Sequence, residues 1–331
     1  MIAQLDHKYI YTRPLKAIAR LNSYVFIEGR PITTRGQWIN PLLFTQFDLV
    51  KRIPQLKKVE QPIYIIGMGR SGSTILGKVL SMHPQVAFLN EPKALWYAVY
   101  PNEDIIGNYS RSMAHYRLDE NDVTPTIKRS AHRLYGYSLF ITASSRVVDK
   151  YPEMIFRTPF LKAIFPDAKF VFLVRNGWDT IASVQSWSQR EGMKKRNEIH
   201  DWWGADKRKW QILVDEIVDK DPEFINITPV VAAFSNQEDM AAVEWTVTMR
   251  QGLRLLNSIP RQIHLVRFEE LVTQPKRIIG EIVSFCQLPV DNVLINYAKR
   301  TLSQPQVHGE CALHPAIRPL FINTMRELNY L

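Results

Sequence analysis

Pro62-Ile63-Tyr64-Ile65-Ile66-Gly67-Met68-Gly69-Arg70-Ser71-Gly72-Ser73-Thr74 is the stretch on which the fold turns. An apolar run, Ile63 to Ile66, enters a turn rich in glycine and serine, and the helical pattern Ile75-Leu76-Gly77-Lys78-Val79-Leu80 follows at once. Pro62 before the run and the glycines after it favour a buried strand with a sharp exit into a helix start. Backbone N–H groups in such a turn, with the positive end of the helix dipole behind them, bind an anion. Against the nucleoside triphosphate pattern G-x-x-x-x-G-K-[ST], Gly67, Gly72 and Thr74 are in place, and Ser73 stands where the lysine belongs. Such a site also needs an acidic magnesium ligand after another strand. The second strong strand, Lys169 to Val174, ends instead in Arg175. Together these departures point to a phosphorylated ligand held by arginine without obligatory metal.

Further segments carry the same theme. Phe165-Pro166-Asp167-Ala168 leads into the Lys169 strand, which continues through Arg175 to Ser183 and Trp187. Asn90-Glu91-Pro92 and Asp149-Lys150-Tyr151-Pro152 lie between the two strong strands, and Val266-Arg267-Phe268-Glu269-Glu270-Leu271 follows with Pro275 and Phe285 to Pro289. In this order, from about residue 62 to about 305, the chain resembles the sulfotransferases that use 3′-phosphoadenosine 5′-phosphosulfate (PAPS), in their bacterial and protein-tyrosine sulfotransferase-like branch. The resemblance implies a 5′-phosphosulfate loop of Gly69, Arg70, Ser71, Gly72, Ser73 and Thr74. It implies 3′-phosphate ligands at Arg175 and Ser183, with a C-terminal donor contact at Ser303 in Thr301-Leu302-Ser303-Gln304-Pro305. The family often has aspartate after the arginine, where this chain has Asn176.

Sulfuryl transfer sets charge requirements of its own. Negative charge develops on the bridging oxygen as its bond to sulfur breaks, and cations aimed there lower the barrier. Arg70 and Lys150 are the candidate catalytic cations. An acceptor hydroxyl must lose its proton, for which one positioned carboxylate suffices. Glu91 is the candidate base, and a histidine, His115 or His132, is the alternative, since cytosolic animal members use one. His83 before Pro84 reads as structural, and the histidines show no metal-ligand spacing.

Composition frames the architecture. With 331 residues and 46% apolar content, the chain can bury a large core. Long apolar strands alternating with helical patterns predict an α/β, P-loop-like three-layer fold, a mainly parallel central sheet flanked by helices, with helical insertions. Residues 1–60, interrupted by Pro14, Pro31, Pro41 and Pro54, read as an extension packed on a sulfotransferase domain over 61–331. The spacing predicts strands at 86–89, 146–148 and 263–266, and helices ending near Met82 and spanning 154–165, 241–256 and 275–287. Residues 190–240 read as a helical insertion or lid, whose Trp202, Trp203, Trp210 and Phe234 suit either a core or an acceptor pocket. Arg190, Lys194, Lys195 and Arg196 there suit either a solvated face or an acidic acceptor.

Two cysteines, Cys286 and Cys311, imply no disulfide framework, and no run of 18 apolar residues or signal-type core occurs. A cytoplasmic, bacterial protein is the expectation. The formal charge of +10 suggests an anionic partner. The diffuse spread of basic residues and the lack of a nucleic-acid module favour a nucleotide donor over nucleic acid. The acceptor class, sugar, lipid, peptide or small metabolite, is not encoded in any recognisable pattern. A P-loop kinase or NTPase with an atypical loop, and a non-catalytic donor-binding protein, are the competing classes.

Overall fold

The computed structural model describes residues 2–34, 36–195, 198–304 and 307–331; Arg196 and Pro305 lie outside them. The N-terminal helices are α1 (His7–Thr12), α2 (Pro14–Phe26) and α3 (Asn40–Val50). The core then runs β1 (Ile63–Gly67), α4 (Ser73–Leu80), β2 (Val86–Asn90), α5 (Lys93–Val99), α6 (Pro125–Ile141), β3 (Arg146–Lys150), α7 (Thr158–Ile164), β4 (Lys169–Val174) and α8 (Gly177–Glu191). After a small sheet come α9 (Arg208–Leu213), α10 (Thr228–Ala232), α11 (Gln237–Ser258), a fifth core strand (Ile263–Arg267), α12 (Phe268–Thr273), α13 (Pro275–Phe285), α14 (Asn292–Thr301) and α15 (Arg318–Glu327). The small sheet consists of β5 (Met193–Lys195), β6 (Glu198–Asp201) and β7 (Gly204–Ala205), which makes the fifth core strand β8.

All neighbouring pairs of the five-stranded sheet, ordered β2-β3-β1-β4-β8, are parallel. Strand periodicity explains why β1 and β4 are apolar throughout. Ile63 and Ile65 enter one core with Leu76, Val79, Ile279 and Leu294, from α4, α13 and α14. Tyr64 and Ile66 enter the opposite core with Leu134, Leu161, Ile181 and Trp245, from α6, α7, α8 and α11. Both faces are covered, so neither set of alternate residues is polar. This is the expected three-layer α/β fold. The chain leaves β1 towards β2 on one side, while β4 and β8 lie on the other, so the strand order reverses at β1. Ligands of open α/β sheets bind at the carboxyl ends beside such a reversal.

Several expected boundaries move. Pro159, in the first turn of α7, splits the helix expected over 154–165 into a 3₁₀ segment, Pro152–Arg157, and α7. Helix α4 stops at Leu80, where the following Ser81 accepts the buried Tyr9 hydroxyl. Strand β3 extends through Lys150. Helix α11 begins at Gln237 because the Asn236 side chain caps it, accepting from Glu238 N–H. The region 190–240 is only partly helical: it opens with the antiparallel β5-β6-β7 sheet before α9, a π-turn (Val214–Val218) and α10. Trp203 and Trp210 are core residues there.

Residues before β1 are joined to this framework by buried polar contacts. Lys16 Nζ donates to Val86 O at 2.5 Å, and the Arg20–Glu28 ion pair closes at 2.6 Å. Glu28 Oε1 also accepts from Asn90 N–H at 2.6 Å, which ties the N-terminal segment to the end of β2.

Candidate active site

The β1–α4 loop is shaped by backbone geometry few residues tolerate. Gly72 has φ +90°, and a Cβ there would lie 2.2 Å from the Phe268 ring, so only glycine fits. Arg70 adopts φ +70°. Helix α4 has no side-chain cap, which leaves its first N–H groups without side-chain acceptors. Ser71 is fully buried, and its hydroxyl has no hydrogen-bond partner within the protein. A buried hydroxyl without a partner is costly, and an oxyanion in the loop would satisfy it. Ser73 and Thr74 open the helix and line the adjoining cavity with Gly69 and Arg70.

Strands β2 and β3 end side by side, with Asn90 in register with Lys150. One residue on, Glu91 takes φ +49°, held by Glu91 N–H to Lys150 O and Lys93 N–H to Glu91 O, both 2.7 Å. This turn brings the carboxylate to Lys150 Nζ at 2.5 Å and Lys93 Nζ at 3.3 Å. Burial raises the Glu91 pKa, but Lys150 and Lys93 outweigh it and hold the carboxyl well below the usual range. The residue is ionised at neutral pH. Lys150 itself is buried, and Glu91 is its partner.

Arg70 and Ser183 meet directly, Nε donating to Oγ at 3.1 Å. Arg175 lies alongside: one terminal nitrogen donates to Arg70 O at 3.1 Å, the guanidinium sits 5.3 Å from the Phe268 ring centre, and its buried Nε has no acceptor. The structure therefore gathers Arg70, Arg175 and Ser183 into one cluster, with Ser183 on Arg70 rather than on Arg175. Burial, then Arg190 and Arg175, lower the Arg70 pKa against the opposing effect of Glu91. Asn176 serves α8, its side chain accepting from Trp178 N–H, while its own N–H donates to Glu269. Asp179, a turn further on, stands 3.9 Å from Arg175. Ser303 is exposed and does not line the cavity; five residues later, His308 N–H reaches Asp179 Oδ1 at 2.6 Å.

A cavity of about 160 Å³ is bounded by Gly69, Arg70, Ser73, Thr74, Glu91 and Lys93 on the sheet side; Ser71, Lys150, Arg175 and Ser183 do not line it, and Lys150, Arg175 and Ser183 reach it only through Glu91 and Arg70. Pro31 and Thr33 close it from the N-terminal segment, and Glu153, Trp187, Trp202 and Lys209 from the far side. Trp202 packs closely against the loop: a Cβ on Gly69 would meet the tip of its six-membered ring at 2.4 Å. Its indole N–H donates to Glu244 at 2.6 Å, Trp187 packs edge-on at 5.5 Å, and Lys209 Nζ sits 4.4 Å from its ring centre. Lys209 also pairs with Glu244 at 2.5 Å. Reading the sequence left Trp202 undecided between core and pocket and passed over Lys93, Glu153 and Lys209, which no motif marks. Lys93 was detectable, since it adjoins Glu91-Pro92.

The histidine alternative finds no support in geometry. His115 Nδ1 is 2.8 Å from Glu216, His132 Nε2 is 3.1 Å from Ile164 O, and neither lines the cavity. His83 bridges Pro289 O and Gln85 N–H, a structural role. Cys286 is buried in the core.

A glycine-shaped loop at the carboxyl end of a parallel sheet, flanked by arginines and a carboxylate–lysine pair, is the candidate site of a P-loop-like fold. The profile described as the sulfotransferase family matches residues 62–225, and the chain belongs to that family. It is 21% identical over 253 residues to a putative protein-tyrosine sulfotransferase of Caenorhabditis briggsae, covering 73% of this chain and 71% of that protein. It is 22% identical over 254 residues to an uncharacterized protein of Aquifex aeolicus, covering 72% of this chain but only 27% of its relative. Among solved structures, the sulfotransferase domain from the curacin biosynthetic pathway aligns with 83% of this chain and 99% of its own, at TM-score 0.48 and 17% identity.

Proposed function

We propose that the protein transfers a sulfuryl group from PAPS to a hydroxyl or amine of an acceptor by in-line displacement, releasing adenosine 3′,5′-bisphosphate. The observation that carries this reading is a cavity walled by the β1–α4 loop, Arg70 and Glu91, with Arg175 bonded to Arg70 O and Lys150 to Glu91 directly behind those lining residues. PAPS supplies the activated sulfuryl group. The residues fit an oxyanionic donor, since Ser71 Oγ and Arg175 Nε are buried donors without acceptors. Arg175, with Arg70 and Ser183, would hold phosphate, and the loop N–H groups and Ser73 and Thr74 would hold the phosphosulfate. Glu91 would accept the acceptor's proton as the new O–S or N–S bond forms. Lys150 would stabilise the charge that appears on the departing phosphate oxygen.

The strand Lys169–Val174 leads into Arg175 where an NTPase needs a metal carboxylate. Transfer of ³⁵S from labelled PAPS across panels of sugars, lipids, tyrosine peptides and small phenols tests the proposal. Label should move to one panel in the wild type, with Glu91→Gln slower by about 10²- to 10⁴-fold. ATP consumption with magnesium, and no sulfur transfer to any panel, would favour the kinase or NTPase reading.

A further inference from the structure

The wall of the cavity opposite the β1–α4 loop includes two polar side chains with unused hydrogen-bonding capacity, Asn108 and Glu153. Asn108 sits in a turn fixed by the buried Asp104, whose carboxylate accepts the N–H groups of Gly107, Asn108, Tyr109 and Ser110. Its Oδ1 accepts from Ile32 N–H at 3.1 Å, which fixes the orientation of the amide, and its buried Nδ2 has no acceptor within the protein. Glu153 stands in the first turn of the 3₁₀ segment that follows β3. Its side chain is 12% exposed and lies 3.7 Å from Lys209 Nζ, and among the described residues it accepts no hydrogen bond. The other charged groups lining the cavity are engaged: Arg70 donates to Ser183, Lys93 pairs with Glu91, Lys209 pairs with Glu244 at 2.5 Å, and Asp201 accepts from Trp203 N–H and Gln237 Nε2. The indoles of Trp187 and Trp202 lie on the same side.

A free donor, a free acceptor and two indoles on one side of a cavity discriminate among ligands by chemistry. An acidic acceptor would meet the carboxylate of Glu153 and be repelled. An ammonium-bearing one would meet Lys93 and Lys209, both of which already lie in the field of Glu153. A simple phenol would pack on an indole but leave Glu153 and Asn108 Nδ2 unpaired, the costly outcome for buried polar groups. A neutral polyol satisfies both, since each hydroxyl donates one hydrogen bond and accepts others. We propose, on the sulfotransferase reading above, that this wall is the acceptor subsite and that the acceptor is a neutral sugar. Hydroxyls beside the reacting one donate to Glu153 and accept from Asn108 Nδ2, and the ring packs against the Trp187 and Trp202 side. The reacting hydroxyl is left to Glu91, which takes its proton.

Transfer of ³⁵S from labelled PAPS to neutral methyl glycosides, phenol, ethanolamine and an acidic tyrosine peptide tests this, with binding of adenosine 3′,5′-bisphosphate followed in parallel by calorimetry. The glycosides should be labelled with kcat/KM at least about tenfold above the other acceptors. Glu153→Gln should lower kcat/KM for the glycoside by about tenfold or more, chiefly through KM, as a charge-assisted hydrogen bond is lost. Its bisphosphate affinity and melting temperature should match the wild type, and one monodeoxy glycoside should be as poor a substrate for the wild type as the parent sugar is for the variant. Label on the phenol or the acidic peptide in preference to the glycosides, or an unchanged kcat/KM in Glu153→Gln, would overturn the sugar subsite and leave sulfuryl transfer standing. Unlabelled glycosides with a protein that binds the bisphosphate would overturn it equally. Absence of both bisphosphate binding and label on every acceptor would instead remove the sulfotransferase reading on which it rests.

Discussion

Glu91 combines three properties that a structural carboxylate seldom shares: a left-handed backbone, two lysine partners and a place on the cavity wall. Positive φ in a residue with a side chain costs about 1–3 kcal/mol and persists where the surroundings impose it. Here the Lys150 carbonyl and the Lys93 N–H impose it. The lysines keep Glu91 ionised, yet a carboxylate so stabilised is a weak base. An anionic donor drawing Lys150 towards itself would free Glu91 to accept a proton. The acid limb of kcat/KM should accordingly lie below the ordinary carboxylate range in the wild type. Lys150→Met removes the larger of the two lysine attractions, so the limb should move upward in pH, towards the ordinary carboxylate range, as turnover falls. A pH profile identical to wild type would separate Glu91 from the reaction.

At the scale of elements, the β5-β6-β7 sheet and the turn after it bring Trp202 onto Gly69. The cavity beneath, about 160 Å³, is smaller than the roughly 300–1,000 Å³ of small-molecule sites. On the proposed function, a donor larger than this cavity would enter by a swing of Trp202 from the loop. Trp202→Ala should bind adenosine 3′,5′-bisphosphate several-fold faster in stopped flow; an unchanged rate would show that the indole is no gate. Strand β3 carries a different device. Asp149 is buried under Tyr135 Oη at 2.5 Å and Trp96 Nε1 at 2.8 Å, and burial, against those hydrogen bonds, pushes its pKa up to about 7. A raised folded-state pKa favours folding below the unfolded value near 4, and that contribution is lost as pH rises through 7. The melting temperature should fall between pH 5 and 8, and Asp149→Asn should flatten part of that fall; Glu103, pushed up to about 7 chiefly by burial, supplies the rest.

The elements also show where sequence reading succeeds. Strands β1 and β4 are legible because both alternating faces are buried, leaving unbroken apolar runs between punctuating residues. The Ser71 loop is legible because Gly72 answers a backbone need visible in the spacing of the glycines. The β5-β6-β7 sheet is not, since its two- to four-residue strands carry Lys194, Glu198 and Asp201 and have no sustained alternation. The Arg70–Ser183 contact was equally hidden: it joins residues 113 positions apart, and only the fold decides which arginine faces the serine.

On the scale of the whole molecule, the parallel sheet gathers the candidate site at one end. Its carboxyl ends collect Arg70, Glu91, Lys150 and Arg175 from four strand termini, while its amino ends meet the α1–α2 face. The N-terminal residues contribute to both ends, since Lys16 holds Val86 O at the start of β2, while Glu28 holds Asn90 N–H at its end and Pro31 and Thr33 line the cavity. The central claim is that the cavity is built for a bisphosphorylated adenosine donor held by arginine without metal. Isothermal titration with adenosine 3′,5′-bisphosphate in the presence of a metal chelator, and separately with ATP and magnesium, tests it most directly. The account predicts saturable binding of the bisphosphate in chelator, weakened about tenfold or more by Arg175→Ala, which removes a charge-assisted contact. Binding of ATP with magnesium, and none of the bisphosphate, would contradict it.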